Sequence, residues 1–123
     1  MDFLKRYDNG LSVAVREMEG LYSTSVAVAV NVGSSVEPPE CNGYSHFIEH
    51  MLFKGTPSRS ASKISETIED VGGQLNAYTS KDVTCFYTKT AGQHTRDCLE
   101  LLSDMFFNSV FDGTELDRER QVV

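Results

Sequence analysis

Two of the three histidines and one glutamate fall within a single run, His46-Phe47-Ile48-Glu49-His50. On an α-helix each residue advances about 100°. With His46 at the origin, Glu49 lies at about −60° and His50 at about +40°, on one arc roughly 100° wide. Phe47, Ile48, Met51 and Leu52 take the opposite arc. The helix therefore divides into an apolar side for packing and a side carrying two imidazoles and a carboxylate. Imidazoles at i and i+4 stand one turn apart, and both can reach one metal ion. The carboxylate beside the second imidazole is placed to take a proton from water that such an ion activates. The trio also has a plainer reading. On a solvated helix face it is harmless, whereas buried without a metal it leaves donors and acceptors unpaired. Spacing alone leaves both readings open.

Other candidates are weaker taken singly. Gly72-Gly73 leads into Gln74-Leu75-Asn76-Ala77-Tyr78-Thr79-Ser80, a strand pattern in which small Ala77 lets a second backbone approach. The edge of such a strand could hold an extended peptide through main-chain hydrogen bonds, with Asn76 and Tyr78 touching it from one face. The alternative is that both are the solvated face of an ordinary strand. Glu119 sits in the charged run Asp117-Arg118-Glu119-Arg120. There an exposed helix residue is the simpler reading, and support of a metal ligand the other. His94 stands at a helix start, the usual place of a surface residue. Cys41 is a good zinc ligand by chemistry but precedes the motif helix.

The elements that must position this motif follow from periodicity and turn chemistry. Leu4–Tyr7 and Leu11–Arg16 flank Asp8-Asn9-Gly10, a hairpin signal. Ser25–Val32 places Val26, Val28, Val30 and Val32 on one face and reads as a central strand. A proline-containing loop follows, and the motif helix runs from Gly43 or Ser45 to about Phe53, ended by Lys54-Gly55-Thr56-Pro57. A second helix, Ala61–Val71, aligns Ile64, Ile68 and Val71. Strands Gln74–Ser80 and Val83–Thr90 come next. A third helix, Thr95–Ser109, carries Cys98, Leu101, Leu102, Met105 and Phe106 at core spacing. Asp112 or Thr114 can cap a fourth, beginning at Glu115. Strands and helices mix without strict βαβ alternation, so the expected class is α+β, a largely antiparallel sheet packed against helices. The last helix reaches Val122-Val123 with no Gly, Asn or Pro terminator. The expectation is one domain, 1–123, cut short within its final helix.

Composition sets the bounds. The 123 residues, 40% hydrophobic and 24% charged, suit one soluble globular domain. No apolar run approaches the roughly 20 residues of a membrane span. The opening Met1-Asp2-Phe3-Leu4-Lys5-Arg6 has neither the apolar run of a signal peptide nor the acid-poor character of a transit peptide. Eighteen acidic against eleven basic residues give −7, which argues against nucleic acid and suits a basic partner. Cys41, Cys85 and Cys98 form no CxxC pair and read as reduced thiols or small buried hydrophobes.

His46, Glu49 and His50 form an H-x-x-E-H arrangement, the reverse of the H-E-x-x-H helix of thermolysin-type enzymes. The surrounding segment, Asn42 to Thr56, resembles the zinc-site segment of the pitrilysin-type metallopeptidases. The likeness continues through Gly72 to Ser80, Thr84 to Tyr87, and Phe111-Asp112 into the last helix, nearest the bacterial and mitochondrial processing-peptidase branch. The resemblance implies a zinc-dependent metalloendopeptidase, one zinc per active site, that hydrolyses extended peptides or presequences. His46 and His50 would be zinc ligands, and Glu49 the general base that passes its proton to the leaving amine. Asn76 and Ala77, with Tyr78 beside them, would lie on the edge strand that pairs with substrate, and Glu119 would support the zinc site without binding it. The third ligand, a glutamate two turns past Glu119 on the same helix face, is expected at position 126, beyond Val123.

Active units of this family resemble two homologous halves closing over a chamber, so the resemblance implies a second half-domain or partner subunit. An acidic chamber would suit basic peptides. The fragment by itself is expected to be inactive, and its setting to be the bacterial cytoplasm, with the mitochondrial matrix as the alternative. The family also contains inactive homologues. A structural or assembly subunit of the same fold, or a peptide-binding module that does not cleave, is therefore the competing reading.

Overall fold

The computed structural model describes residues 2–122. Asp8-Asn9-Gly10 turns β1 (Asp2–Arg6) back onto β2 (Ser12–Arg16) as a separate antiparallel pair. Asn9 Oδ1 accepts the Leu11 amide at 3.0 Å, and Gly10 adopts φ +93°, which a side chain would resist. Both strands are largely exposed, so this hairpin adds little to the core.

The main sheet comprises β3 (Ser23–Val30), β4 (Gln74–Thr79) and β5 (Thr84–Ala91), all antiparallel in the order β3-β5-β4. The central strand is thus β5, and β3, expected at the centre, lies at an edge with its end at Val30 rather than Val32. Alternating valines identify one buried face but say nothing about how many neighbours a strand has. Phe86 of β5 pairs with Val28 on one side and Ala77 on the other. Phe86, Thr88 and Thr90 are buried, while Val30 is 38% exposed.

Helices α1 (Tyr44–Leu52), α2 (Ala61–Glu69) and α3 (Thr95–Asn108) supply the second layer. Leu52, Ile64, Ile68, Cys98, Leu101, Leu102 and Met105 close on Phe86, with Val26, Val28, Phe53, Val71, Leu75, Ala77 and Phe106 packed around them. This is the α+β class, with antiparallel sheets covered on one face by helices. Two helix starts are capped by a side chain that precedes them. Ser60 Oγ accepts the Lys63 amide at 3.1 Å, and Asp112 Oδ2 accepts that of Glu115 at 3.2 Å at the head of α4 (Gly113–Val122). The segment expected as a loop before α1 contains two 3₁₀ turns, Ser34–Val36 and Pro39–Cys41. Cys41, Cys85 and Cys98 are free thiols, the latter two buried. Among the described residues, no helix is long and apolar enough to cross a membrane.

Candidate functional site

The motif helix α1 is held at its head by a carboxylate of the preceding loop and beyond its other end by groups far from it in sequence. Gly43, at φ +89°, offers no side chain to cap it, and a remote carboxylate does so instead. Glu37 Oε1 accepts the Gly43 amide at 2.9 Å, and Oε2 accepts the Ser45 amide at 2.6 Å. The Ser45 amide, then that of Gly43, holds the Glu37 carboxyl below its ordinary range. The segment bearing Glu37 is fastened to the β4–β5 turn, where Ser34 N donates to Ser80 O at 3.1 Å and Ser35 N to Lys81 O at 2.8 Å. This contact requires glycine at position 33, since a Cβ there would stand 2.3 Å from the Ser80 carbonyl oxygen.

Beyond the other end, Gly55 at φ +132° starts the turn Thr56–Arg59, which an acidic residue of α3 secures. Asp104 Oδ2 accepts Thr56 Oγ1 at 2.6 Å, Arg59 Nη1 at 2.7 Å and Ser58 Oγ at 3.1 Å, while Oδ1 accepts Asn108 Nδ2 at 2.9 Å. The Thr56 hydroxyl foremost, with Asn108, Arg59 and Ser58, brings the Asp104 carboxyl down to about 2 against the opposing effect of burial. None of Glu37, Gly33 or Asp104 stands out in the sequence, because Glu37 acts on backbone amides 6 and 8 residues on, Asp104 reaches Thr56 across 48 residues, and Gly33 matters through its close approach to the Ser80 carbonyl.

Between these anchors α1 brings together the three predicted residues. His46 Nε2 and His50 Nε2 lie 3.0 Å apart with their rings nearly perpendicular. The Glu49 carboxylate joins them, all three ligand atoms lying within 4.8 Å of one another. His46 is exposed, and Glu49 and His50 are half-buried. The apolar side of the helix is less complete than its arc suggests. Met51 and Leu52 are buried, but Phe47 is only half-buried and Ile48 is 45% exposed. The helix packs against β4 and α4 rather than a full layer, so Phe47 and Ile48 instead line an open depression of 540 Å³ with Tyr44, Phe111 and Arg120.

Glu119 is buried, against the exposed position its charged neighbours suggest. Its Oε2 accepts His50 Nδ1 at 2.8 Å and its Oε1 accepts Lys54 Nζ at 2.9 Å. Lys54, ahead of His50, keeps the Glu119 carboxyl below its ordinary range in spite of burial. With the Nδ1 proton committed to Glu119, a neutral His50 presents the Nε2 lone pair toward His46. Lys54, read from the sequence only as part of a helix stop, is thereby drawn into the site.

The strand β4 forms an edge of the main sheet and borders the trio. Asn76 and Tyr78 are exposed on its outward face, while Ala77 points to the core opposite Phe86. A depression of 330 Å³ between α1 and β4 is lined by Glu49, His50, Phe53, Lys54, Leu75, Asn76 and Ala77. Thr79, at the end of β4, donates its hydroxyl to Glu49 Oε2. His94 and Cys41 are not gathered with the trio, and His94 Nδ1 lies 3.6 Å from Asp97.

The donor set fits zinc. Two nitrogens bound to one ion at about 2.1 Å cannot be more than roughly 4.2 Å apart, a limit that the 3.0 Å separation meets. The carboxylate on the far ring nitrogen of His50 is the partner that metal-binding imidazoles usually have.

Residues 12–123 match the family described as insulinase, peptidase family M16. The chain is 45% identical over 122 residues to an uncharacterized zinc protease, YmxG, of Bacillus subtilis, covering 98% of this chain and 30% of that protein. It is 39% identical over 115 residues to the mitochondrial-processing peptidase subunit beta of Saccharomyces cerevisiae, covering 94% of this chain and 25% of the relative. The fold superimposes on that of a protease from Helicobacter pylori with a TM-score of 0.93 at 30% identity, over 99% of this chain and 30% of the other. The chain thus spans under a third of the length of each.

Proposed function

The chain belongs to the insulinase family of peptidases, M16, and on that footing we propose that it is the zinc-binding part of a metalloendopeptidase acting on extended peptides. The observation that carries this reading is the convergence of His46 Nε2 and His50 Nε2, 3.0 Å apart, beside Glu49 and a sheet edge. His46 and His50 would hold the metal, with Glu119 orienting His50 and Lys54 supporting Glu119. Zinc held there would supply Lewis acidity, making water acidic enough to attack and polarising the scissile carbonyl. Glu49 would take a proton from the attacking water and return it to the leaving amine. A substrate strand would pair along the free edge of β4 at Asn76 and Ala77, with Tyr78 beside it, next to the 330 Å³ depression that reaches Glu49.

Two imidazoles are one short of the three protein ligands a catalytic zinc requires, and the family resemblance would put the third two helical turns past Glu119, at position 126. A second half-domain or partner subunit would complete the chamber, and the −7 charge favours basic peptides. Relatives of bacterial and of mitochondrial origin make either compartment a fitting place of action.

The test uses the full-length protein that carries this chain. Glu49→Gln is expected to retain one zinc per site and lose hydrolysis of a basic peptide, and chelation of the wild type is expected to stop cleavage. Full activity in the variant would remove Glu49 from the role of base. A wild type that binds the peptide and never cleaves it would favour the peptide-binding reading. The 123-residue chain alone is expected to bind zinc weakly and cleave nothing; nanomolar affinity by calorimetry would contradict the need for a third ligand.

A further inference from the structure

We propose that Thr79 is the positioning residue for Glu49, its hydroxyl holding the carboxylate in the orientation from which it moves protons; the inference rests on the peptidase reading above. A glutamate side chain has three rotatable bonds and keeps one arrangement only where something holds it. Among the described residues, Thr79 Oγ1 is the group that donates to the Glu49 carboxylate, and it does so to Oε2. Oε1 is thereby left to work on water.

The donor is itself fixed. Thr79 is the last residue of β4, paired with Thr84 of the central strand, and its β-branched side chain has few rotamers. The turn that follows is closed by Ser80 N to Val83 O at 2.8 Å and by Ser80 Oγ to Val83 O at 2.9 Å. Ser34 and Ser35 donate to the Ser80 and Lys81 carbonyls of the same turn, and the segment they begin carries Glu37 to the head of α1. Both ends of the Thr79–Glu49 hydrogen bond therefore stand on one braced frame, the arrangement that preorganises a reacting group. The frame includes the edge at Asn76 and Ala77, so a peptide paired there would be registered against the same strand that orients the base.

The experiment compares Thr79→Val, which removes the hydroxyl at nearly constant volume, with Thr79→Ser, which keeps it. In the full-length protein, Thr79→Val is expected to bind zinc with affinity within about twofold of wild type and to keep KM within about twofold. Its kcat is expected to fall about 10- to 100-fold, the scale of a small misplacement of a reacting group, with Thr79→Ser restoring it to within about threefold. In crystals of Thr79→Val, the Glu49 carboxylate is expected in another rotamer with both imidazoles unmoved. Wild-type kcat in Thr79→Val, an unchanged Glu49 rotamer, or equal losses in Val and Ser would each overturn the proposal. If Thr79→Val does not fold, Thr79→Ala is read by the same measures. A zinc-loaded wild type without hydrolysis would instead refute the peptidase reading, and the rotamer comparison would still decide the role of Thr79.

Discussion

Replacing Asp104 by Asn tests how the turn after the motif helix is held. The change keeps the shape and leaves an amide oxygen that can still accept from Thr56 and Arg59, so it removes charge more than hydrogen bonding. The Asp104 side chain is only 11% exposed and faces the Arg59 guanidinium at 2.7 Å. Its carboxyl is displaced from an ordinary 3.8 to about 2. At about 1.4 kcal/mol per unit, ionised Asp104 contributes about 2 kcal/mol to the folded state at neutral pH. Because the folded-state value is the lower one, this contribution is complete above the unfolded value near 3.8 and is lost as pH falls toward 2. Urea unfolding of both proteins, followed by circular dichroism from pH 7 to pH 2.5, measures the difference directly. The expected result is a variant about 2 kcal/mol less stable at pH 7, with the gap narrowing below about pH 4. A gap under about 0.5 kcal/mol at pH 7, or one that does not change with pH, would refute the assignment of Asp104 as an ionised anchor.

Two further outcomes follow from the same packing. Thr88 Oγ1 is buried and, among the described residues, has no hydrogen-bond partner. Thr88→Val is therefore expected to raise stability in urea by about 1 kcal/mol, and a loss of that size would show that the hydroxyl is bonded after all. Gly33→Ala sets a methyl against the Ser80 and Lys81 carbonyl oxygens, 2.3 and 2.5 Å from its ideal position. It is expected to cost about 1–3 kcal/mol and to speed amide exchange at Gly43 and Ser45, where Glu37 caps the motif helix.

What the sequence alone determined is what depends on residues close along the chain. The H-x-x-E-H run on one helix arc, the Asn9-Gly10 turn, and the core stripe of Cys98, Leu101, Leu102 and Met105 are all set by backbone periodicity, and all appear as expected. Tertiary structure decided which strand is central, because two-sided pairing is a property of the sheet and not of a strand's own residues. It also decided that Glu119 is buried on His50 across 69 residues, that Thr79 reaches Glu49 across 30, and that Ile48 is left exposed. A side chain's local pattern specifies the direction in which it leaves its helix or strand. Whether it meets solvent, a hydroxyl or an imidazole depends on which distant segment packs there, and hydrophobic burial of the whole chain selects that segment.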